Sequence, residues 1–206
     1  MKVLLVNGSP NEFGCTHTAL TEIAGALKVA GVDSQIFHIG KDALSGCIAC
    51  GFCRKEWKCV FDDKVNEFAK LSKEFDGFVF GGPVHYAAAG GALNSFMDRA
   101  FYSASVLFRG KPAATIVSCR RGGATAALDN LNKYLTISQM PIVTSQYWNM
   151  VHGHTPEQVK QDEEGMQTMR VLGNNMAWLL KCLEAGKIAG ITLPEKEKRI
   201  MTNFIR

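Results

Sequence analysis

Four cysteines crowd into thirteen residues with the spacing Cys47-x2-Cys50-x2-Cys53-x5-Cys59. Thiolates are soft-metal ligands and redox nucleophiles. In a chain read as cytoplasmic, such crowding points to metal or electron chemistry before disulfides. Three thiols from one tight turn with a fourth just beyond is the compact spacing that wraps a cubane. Zinc also takes four thiolates, more often from two separated Cys-x2-Cys knuckles. Three readings stand for Cys47, Cys50, Cys53 and Cys59: a [4Fe-4S] cluster, free thiols, or zinc. Phe52, Trp57 and Phe61 interleave them, as shields for a cluster or as loop packing. The total of seven cysteines is odd; Cys15, Cys119 and Cys182 stand apart and read as small buried residues.

A second group surrounds the first turn. After the apolar run at residues 2–6 comes Gly8-Ser9-Pro10-Asn11-Glu12-Phe13-Gly14-Cys15-Thr16-His17-Thr18, leading into a helical pattern. Hydroxyls and backbone N–H groups at a helix N-terminus suit a phosphate. The loop lacks the glycine pattern of a dinucleotide site and the Gly-Lys-Ser/Thr of a triphosphate site. A monophosphate bound by neutral donors fits it; a turn that merely caps the helix is the plainer reading. Further along, Arg120-Arg121 suits an anionic co-substrate or a solvated turn. The loop from Tyr147 to His154 suits a pocket wall, a subunit contact, or a cover for its own protein.

These residues need a scaffold, and an alternation of apolar runs with amphipathic stretches supplies one. Strands are expected at residues 2–6, 34–39, 77–83, 113–118 and 141–145. Helices are expected at 16–30, from an Asp62-Asp63 cap through 71, at 92–102, at 124–135, and from a Thr155-Pro156-Glu157 start to about 185. Five strands alternating with helices imply an α/β fold, a parallel sheet covered on both faces. We expect one domain over residues 1–206, with a cysteine insertion at about 46–60 and a C-terminal helix at about 156–185.

Composition excludes several classes. The chain has 206 residues, 47% hydrophobic and 20% charged, which excludes disorder. The net charge of +4 contains no polybasic patch, so nucleic acid is not an expected partner. No apolar run approaches the ~18 residues of a membrane span. The N-terminal apolar run is too short for a signal sequence, so a cytoplasmic location is expected.

The stretch Gly-Ser-Pro-Asn-x-x-Gly-Cys-Thr-x-x-x-Leu, from Gly8 to Leu20, resembles the phosphate loop of the NAD(P)H-dependent FMN reductases. The likeness continues at Gly81-Gly82-Pro83-Val84-His85-Tyr86 and Phe96-Met97-Asp98-Arg99, and so covers most of residues 1–145. The cysteine cluster resembles that of the iron–sulfur flavoproteins in the same superfamily. One departure is His85, where the family commonly has tyrosine. The resemblance implies a flavodoxin-like fold of five parallel strands in the order 2-1-3-4-5. It implies that Ser9, Asn11, Cys15, Thr16, His17 and Thr18 surround an FMN phosphate. Pro83, Val84, His85 and Tyr86 would line the isoalloxazine edge, and Ser118, Arg120, Gly122 and Gly123 would complete the ring pocket. His85 is the one pocket candidate for a catalytic proton donor. The implied activity is oxidoreduction: hydride from NAD(P)H to FMN, then electrons to a small acceptor such as a quinone, an azo or nitro compound, or free flavin. The alternative is a non-catalytic flavodoxin-like or iron–sulfur electron carrier serving a separate reductase. A homodimer or homotetramer is expected, because Phe101, Tyr102, Phe108, Tyr147 and Trp148 would otherwise leave an apolar patch exposed.

Overall fold

The computed structural model describes residues 1–202 and 204. Strand β1 (Lys2–Asn7) carries an unbroken apolar run, Val3 to Val6, because both faces of the sheet are covered. Its residues alternate between two cores: Leu4 and Val6 face one, Val3 and Leu5 the other. Helix α1 (Cys15–Val29) and strand β2 (Asp33–His38) follow. A single helical turn, α2 (Cys53–Glu56), lies inside the cysteine loop. Asp63 caps α3 (Lys64–Leu71), its side chain accepting from the Val65 amide at 3.1 Å. Strand β3 (Gly77–His85), the short β4 (Ala88–Ala89), helix α4 (Gly91–Ser103), strand β5 (Ala113–Cys119) and helix α5 (Ala124–Ile137) come next. Strand β6 (Met150–His152) and helices α6 (Pro156–Gln161) and α7 (Glu163–Ile188) complete the described elements.

The parallel strands run in the order β2-β1-β3-β5-β6, which is the doubly wound arrangement expected. Two details differ from expectation. The described residues contain six strands rather than five, because β3 turns back through Tyr86-Ala87 and pairs antiparallel with β4. The edge strand is also not at residues 141–145. That segment makes only one bridge, Ala113 to Ile142, and the regular pairing with β5 falls at Met150–His152. Between them the chain loops outward, and the buried Asn149 takes the place of the missing backbone. Its side-chain amide donates to the Thr115 carbonyl at 3.1 Å, while its own carbonyl accepts from the Val117 amide at 3.0 Å.

The C-terminal helix is likewise two helices. Asp162 leaves helical geometry at ψ 78°, and its carboxylate caps α7 by accepting from the Gly165 amide at 3.0 Å. One core packs β-strand residues against α1 and α7, including Ile23, Leu27, Leu172 and Met176. The other is aromatic and lies under α3, α4 and α5. Phe68 stands at its centre, with Phe37, Phe78, Phe80, Phe96 and Phe108 all within 6.2 Å ring to ring. Phe101 and Phe108 belong to this core, which corrects their assignment to an exposed patch; Tyr102, Tyr147 and Trp148 are exposed. No helix among the described residues is long and apolar enough to cross a membrane.

Candidate functional site

The turns that leave β1, β3 and β5 all emerge at the carboxyl end of the sheet, where open α/β folds bind ligands. The first turn is shaped by Asn7, which is fully buried. Its side-chain oxygen accepts from the Ser9 amide at 3.1 Å, and its amide donates to the Glu12 carbonyl at 2.9 Å. Ser9 Oγ then accepts from the Asn11 amide at 3.1 Å, and His38 Nε2 lies 2.8 Å from the Ser9 carbonyl. The Gly8 amide donates to the Gly81 carbonyl at 2.7 Å, which fixes the loop to the end of β3. Gly14 is the N-cap of α1, and the first helical bond runs from the Thr18 amide to its carbonyl. By helix geometry the amides of Cys15, Thr16 and His17 are left without intrahelical partners. Open N–H groups at a helix N-terminus are of the kind that suits a single phosphate.

The side chains of this loop are used differently from one another. Thr16 Oγ1 is buried and shares a hydrogen bond of 2.9 Å with Ser118 Oγ, joining the first turn of α1 to the end of β5. Thr18 bonds back to the Gly14 carbonyl, and His17 meets Thr21 and the Phe13 ring. Cys15 is half-buried and turned toward the Gly153 carbonyl at 3.7 Å; burial pushes its thiol pKa up. Thr16→Val, which keeps the shape and removes the hydroxyl, should therefore lower stability by roughly 1–3 kcal/mol, the cost of a buried hydroxyl left unpaired. Denaturant unfolding checks this, and an unchanged midpoint would show that the Thr16–Ser118 bond contributes nothing.

The β3–β4 hairpin forms a second wall. Pro83 and Val84 are half-buried, whereas His85 and Tyr86 are exposed. Tyr86 and Ala87 both have positive φ, 50° and 59°, a conformation that two-residue hairpins prefer to build from asparagine and glycine. Such strain gathers at functional sites. Behind the hairpin sits Gly123, with φ +87°. A Cβ there would lie 2.5 Å from the Ala87 Cα, so only glycine lets the two loops meet. Arg120 and Gly122 are exposed beside it. At the start of α4, Asn94 Oδ1 is buried without a hydrogen-bond partner, while its amide donates to the Ala89 carbonyl. The predicted residues after β1, β3 and β5 are thus brought together, and their amides and hydroxyls suit a phosphate-bearing flavin.

The cysteine loop forms a separate chamber against α4. Cys47, Cys50, Cys53 and Cys59 all line one cavity of about 270 Å³, together with Phe61, Arg99, Tyr102 and Ser103. Cys47 and Cys50 are exposed; Cys53 and Cys59 are half-buried. Burial raises the Cys53 thiol pKa, and the neighbouring thiols add to the effect. Asn66 pins the loop by donating to the carbonyls of Cys59 and Phe61 and accepting from the Cys59 amide. Among the described residues, no group of three or more His, Cys, Asp or Glu side chains is arranged to hold a metal ion. Thiolates are donors that a [4Fe-4S] cluster and zinc both take, and all four line this one cavity. Of the outlying cysteines, Cys119 is buried as expected, but Cys15 is half-buried and Cys182 is exposed on α7.

Residues 1–155 match the model of the NADPH-dependent FMN reductases, and that span carries all three converging turns and the cysteine loop. The chain belongs to that family. An iron–sulfur flavoprotein of Methanocaldococcus jannaschii is 29% identical over 192 residues, covering 89% of this chain and 100% of the other. Two solved structures share the fold. A flavodoxin from the domain Archaea aligns with a TM-score of 0.59 at 18% identity, over 88% of this chain and 99% of its own. An apo NADH:FMN oxidoreductase aligns with a TM-score of 0.61 at 18% identity, over 86% and 89%. Within this FMN reductase family member, sequence reading missed Asn7, Asn66 and Asn94. Each works by bonding backbone at a turn, and the signal was present: Asn7 ends a strand just before Gly-Ser-Pro, where asparagine organises turns. It missed Arg99 as a partner of the cysteines, because Arg99 and Cys59 lie 40 residues apart and only the fold brings them together.

Proposed function

We propose that this member of an FMN-binding oxidoreductase family takes electrons from NAD(P)H and delivers them to a small acceptor such as a quinone, an azo or nitro compound, or free flavin. The observation that carries this reading is the meeting of three turns at adjacent strand ends, beside a helix N-terminus built for one phosphate. Bound FMN would supply the redox chemistry, since flavins exchange electrons both in pairs and singly. The open amides of Cys15, Thr16 and His17, with Ser9 and Asn11, would hold its phosphate. The strained hairpin, Ser118 and the Gly122-Gly123 turn would hold its ring, and His85 would keep or release a proton at its imidazole. Arg120 and Arg121, both exposed, would attract an anionic co-substrate. The structural neighbour named as an NADH:FMN oxidoreductase supports nicotinamide as the donor.

Cys47, Cys50, Cys53 and Cys59 would hold a [4Fe-4S] cluster, a reading supported by their shared cavity and by the name of the Methanocaldococcus relative. Helix α4 links the two sites. It begins beside the hairpin and carries Arg99 about 12 Å along its axis, eight residues at the helical rise. A second reading, an electron carrier serving a separate reductase, is favoured by this linkage. Anaerobic mixing with NADH or NADPH separates the two: direct bleaching of the flavin band supports the reductase, and a flavin that bleaches only with an added reductase supports the carrier. The exposed Tyr86, Tyr102, Tyr147 and Trp148 would be covered in a cytoplasmic homodimer or homotetramer. Light scattering of the flavin-loaded protein at a single-chain mass would contradict that assembly.

A further inference from the structure

Arg99 is the largest fully buried side chain, 2% exposed, and each of its polar contacts is with the cysteine loop or the helix cap that follows it. Its fork grips Asp63, with Nη1 to Oδ2 and Nη2 to Oδ1 both at 2.8 Å. Nη1 also donates to the Ser45 carbonyl at 3.2 Å and Nη2 to the Phe61 carbonyl at 3.4 Å. The guanidinium lies 4.9 Å from the centre of the Phe61 ring. The last donor, Nε, points at Cys59 Sγ at 3.2 Å. Asp63 already balances the charge, and two carbonyls already fix the loop. A neutral thiol is a weak acceptor and gains little from a buried guanidinium. A thiolate gains much, because charge-assisted hydrogen bonds are the strong ones.

We propose that Arg99 positions Cys59 as a cluster ligand and, with Asp63, sets the reduction potential of the cluster through the balance of their charges. This rests on the cluster reading above. The cluster's couple is a single electron with no bond made or broken, so a nearby positive charge favours the reduced form and a nearby negative charge disfavours it. Lysine cannot replace the fork, since a point charge on a flexible stem cannot reach carboxylate, carbonyls and sulfur together. The substitution Asp63→Asn removes the negative charge and leaves α3 capped, because asparagine is as good an N-cap as aspartate.

The full chain, reconstituted anaerobically with ferrous iron and sulfide, tests this by iron content and by potentiometric titration with dithionite. Wild-type protein should hold about four irons per chain, the content of one cubane. Arg99→Gln should shift the midpoint to lower potential and Asp63→Asn to higher. Arg99→Lys should keep the midpoint near that of wild type while losing iron occupancy. Flavin content should stay at the wild-type level in all three. If Arg99→Gln does not fold, Asp63→Asn and Arg99→Lys still carry the test. A wild-type midpoint in loaded Arg99→Gln or Asp63→Asn protein, shifts of the same sign in those two, or full iron occupancy in Arg99→Lys would overturn the role of Arg99 while leaving the cluster standing. Wild-type protein that takes up no iron would overturn the cluster reading, and the role of Arg99 with it.

Discussion

Gly123→Val should lose flavin affinity by at least tenfold, a change of about 1.4 kcal/mol, in a protein that still folds. Gly123 has φ +87°, where a residue with a Cβ costs roughly 1–2 kcal/mol, and more when β-branched. The larger consequence is displacement. The new Cβ would lie 2.5 Å from the Ala87 Cα, which is backbone and cannot rotate aside, so the β3–β4 hairpin must swing away from the turn after β5. That separates the two walls assigned to the flavin ring. The phosphate end at α1, anchored by Gly8 to Gly81 and by Thr16 to Ser118, stays as it was. Fluorescence titration of apo protein with FMN reads the loss, and circular dichroism confirms the fold. Wild-type affinity in a folded Gly123→Val protein would mean that hairpin and turn do not share the flavin site.

The other large effect is all-or-none. Cys50 is exposed, so Cys50→Ala should change stability by no more than about 0.5 kcal/mol, as surface substitutions do. If its thiolate is a cluster ligand, the same substitution should remove most of the iron and the broad visible absorbance beyond that of flavin, leaving flavin content intact. Retained iron in the Cys50→Ala protein would remove Cys50 from the ligand set. The exposed position makes the test sharp, because loss of fold cannot explain loss of metal.

Much of this architecture is written in local pattern. The run Val3 to Val6 is apolar at every position, which is only compatible with a strand buried on both faces, and a covered parallel sheet followed from the alternation of strands and helices. The order of its strands came from the resemblance of the loops, since periodicity is the same for either order. The turn that opens α1 was legible because a glycine- and hydroxyl-rich stretch after an apolar run ends a strand and starts a helix. The failures share a different cause. The edge strand was placed at residues 141–145 because that stretch looks like a strand locally. Asn149, however, completes the ladder with its side chain, and that is a tertiary contact no periodicity reveals. Asp162 broke the last helix by capping a new one. Phe101 and Phe108 read as surface aromatics near a loop, yet they pack on Phe80, Phe68 and Phe78 from a distance in sequence. Arg99 was visible as part of a motif, but its partners Asp63 and Cys59 were not.

The central claim is that the turns after β1, β3 and β5 bind FMN, and the released ligand decides it. Protein purified as a flavin-bearing complex and heat-denatured should yield FMN by mass, near one per chain, because the α1 N-terminus offers donors for a single terminal phosphate. Stoichiometric FAD in the supernatant, or an apo protein that binds no FMN on titration, would contradict the account.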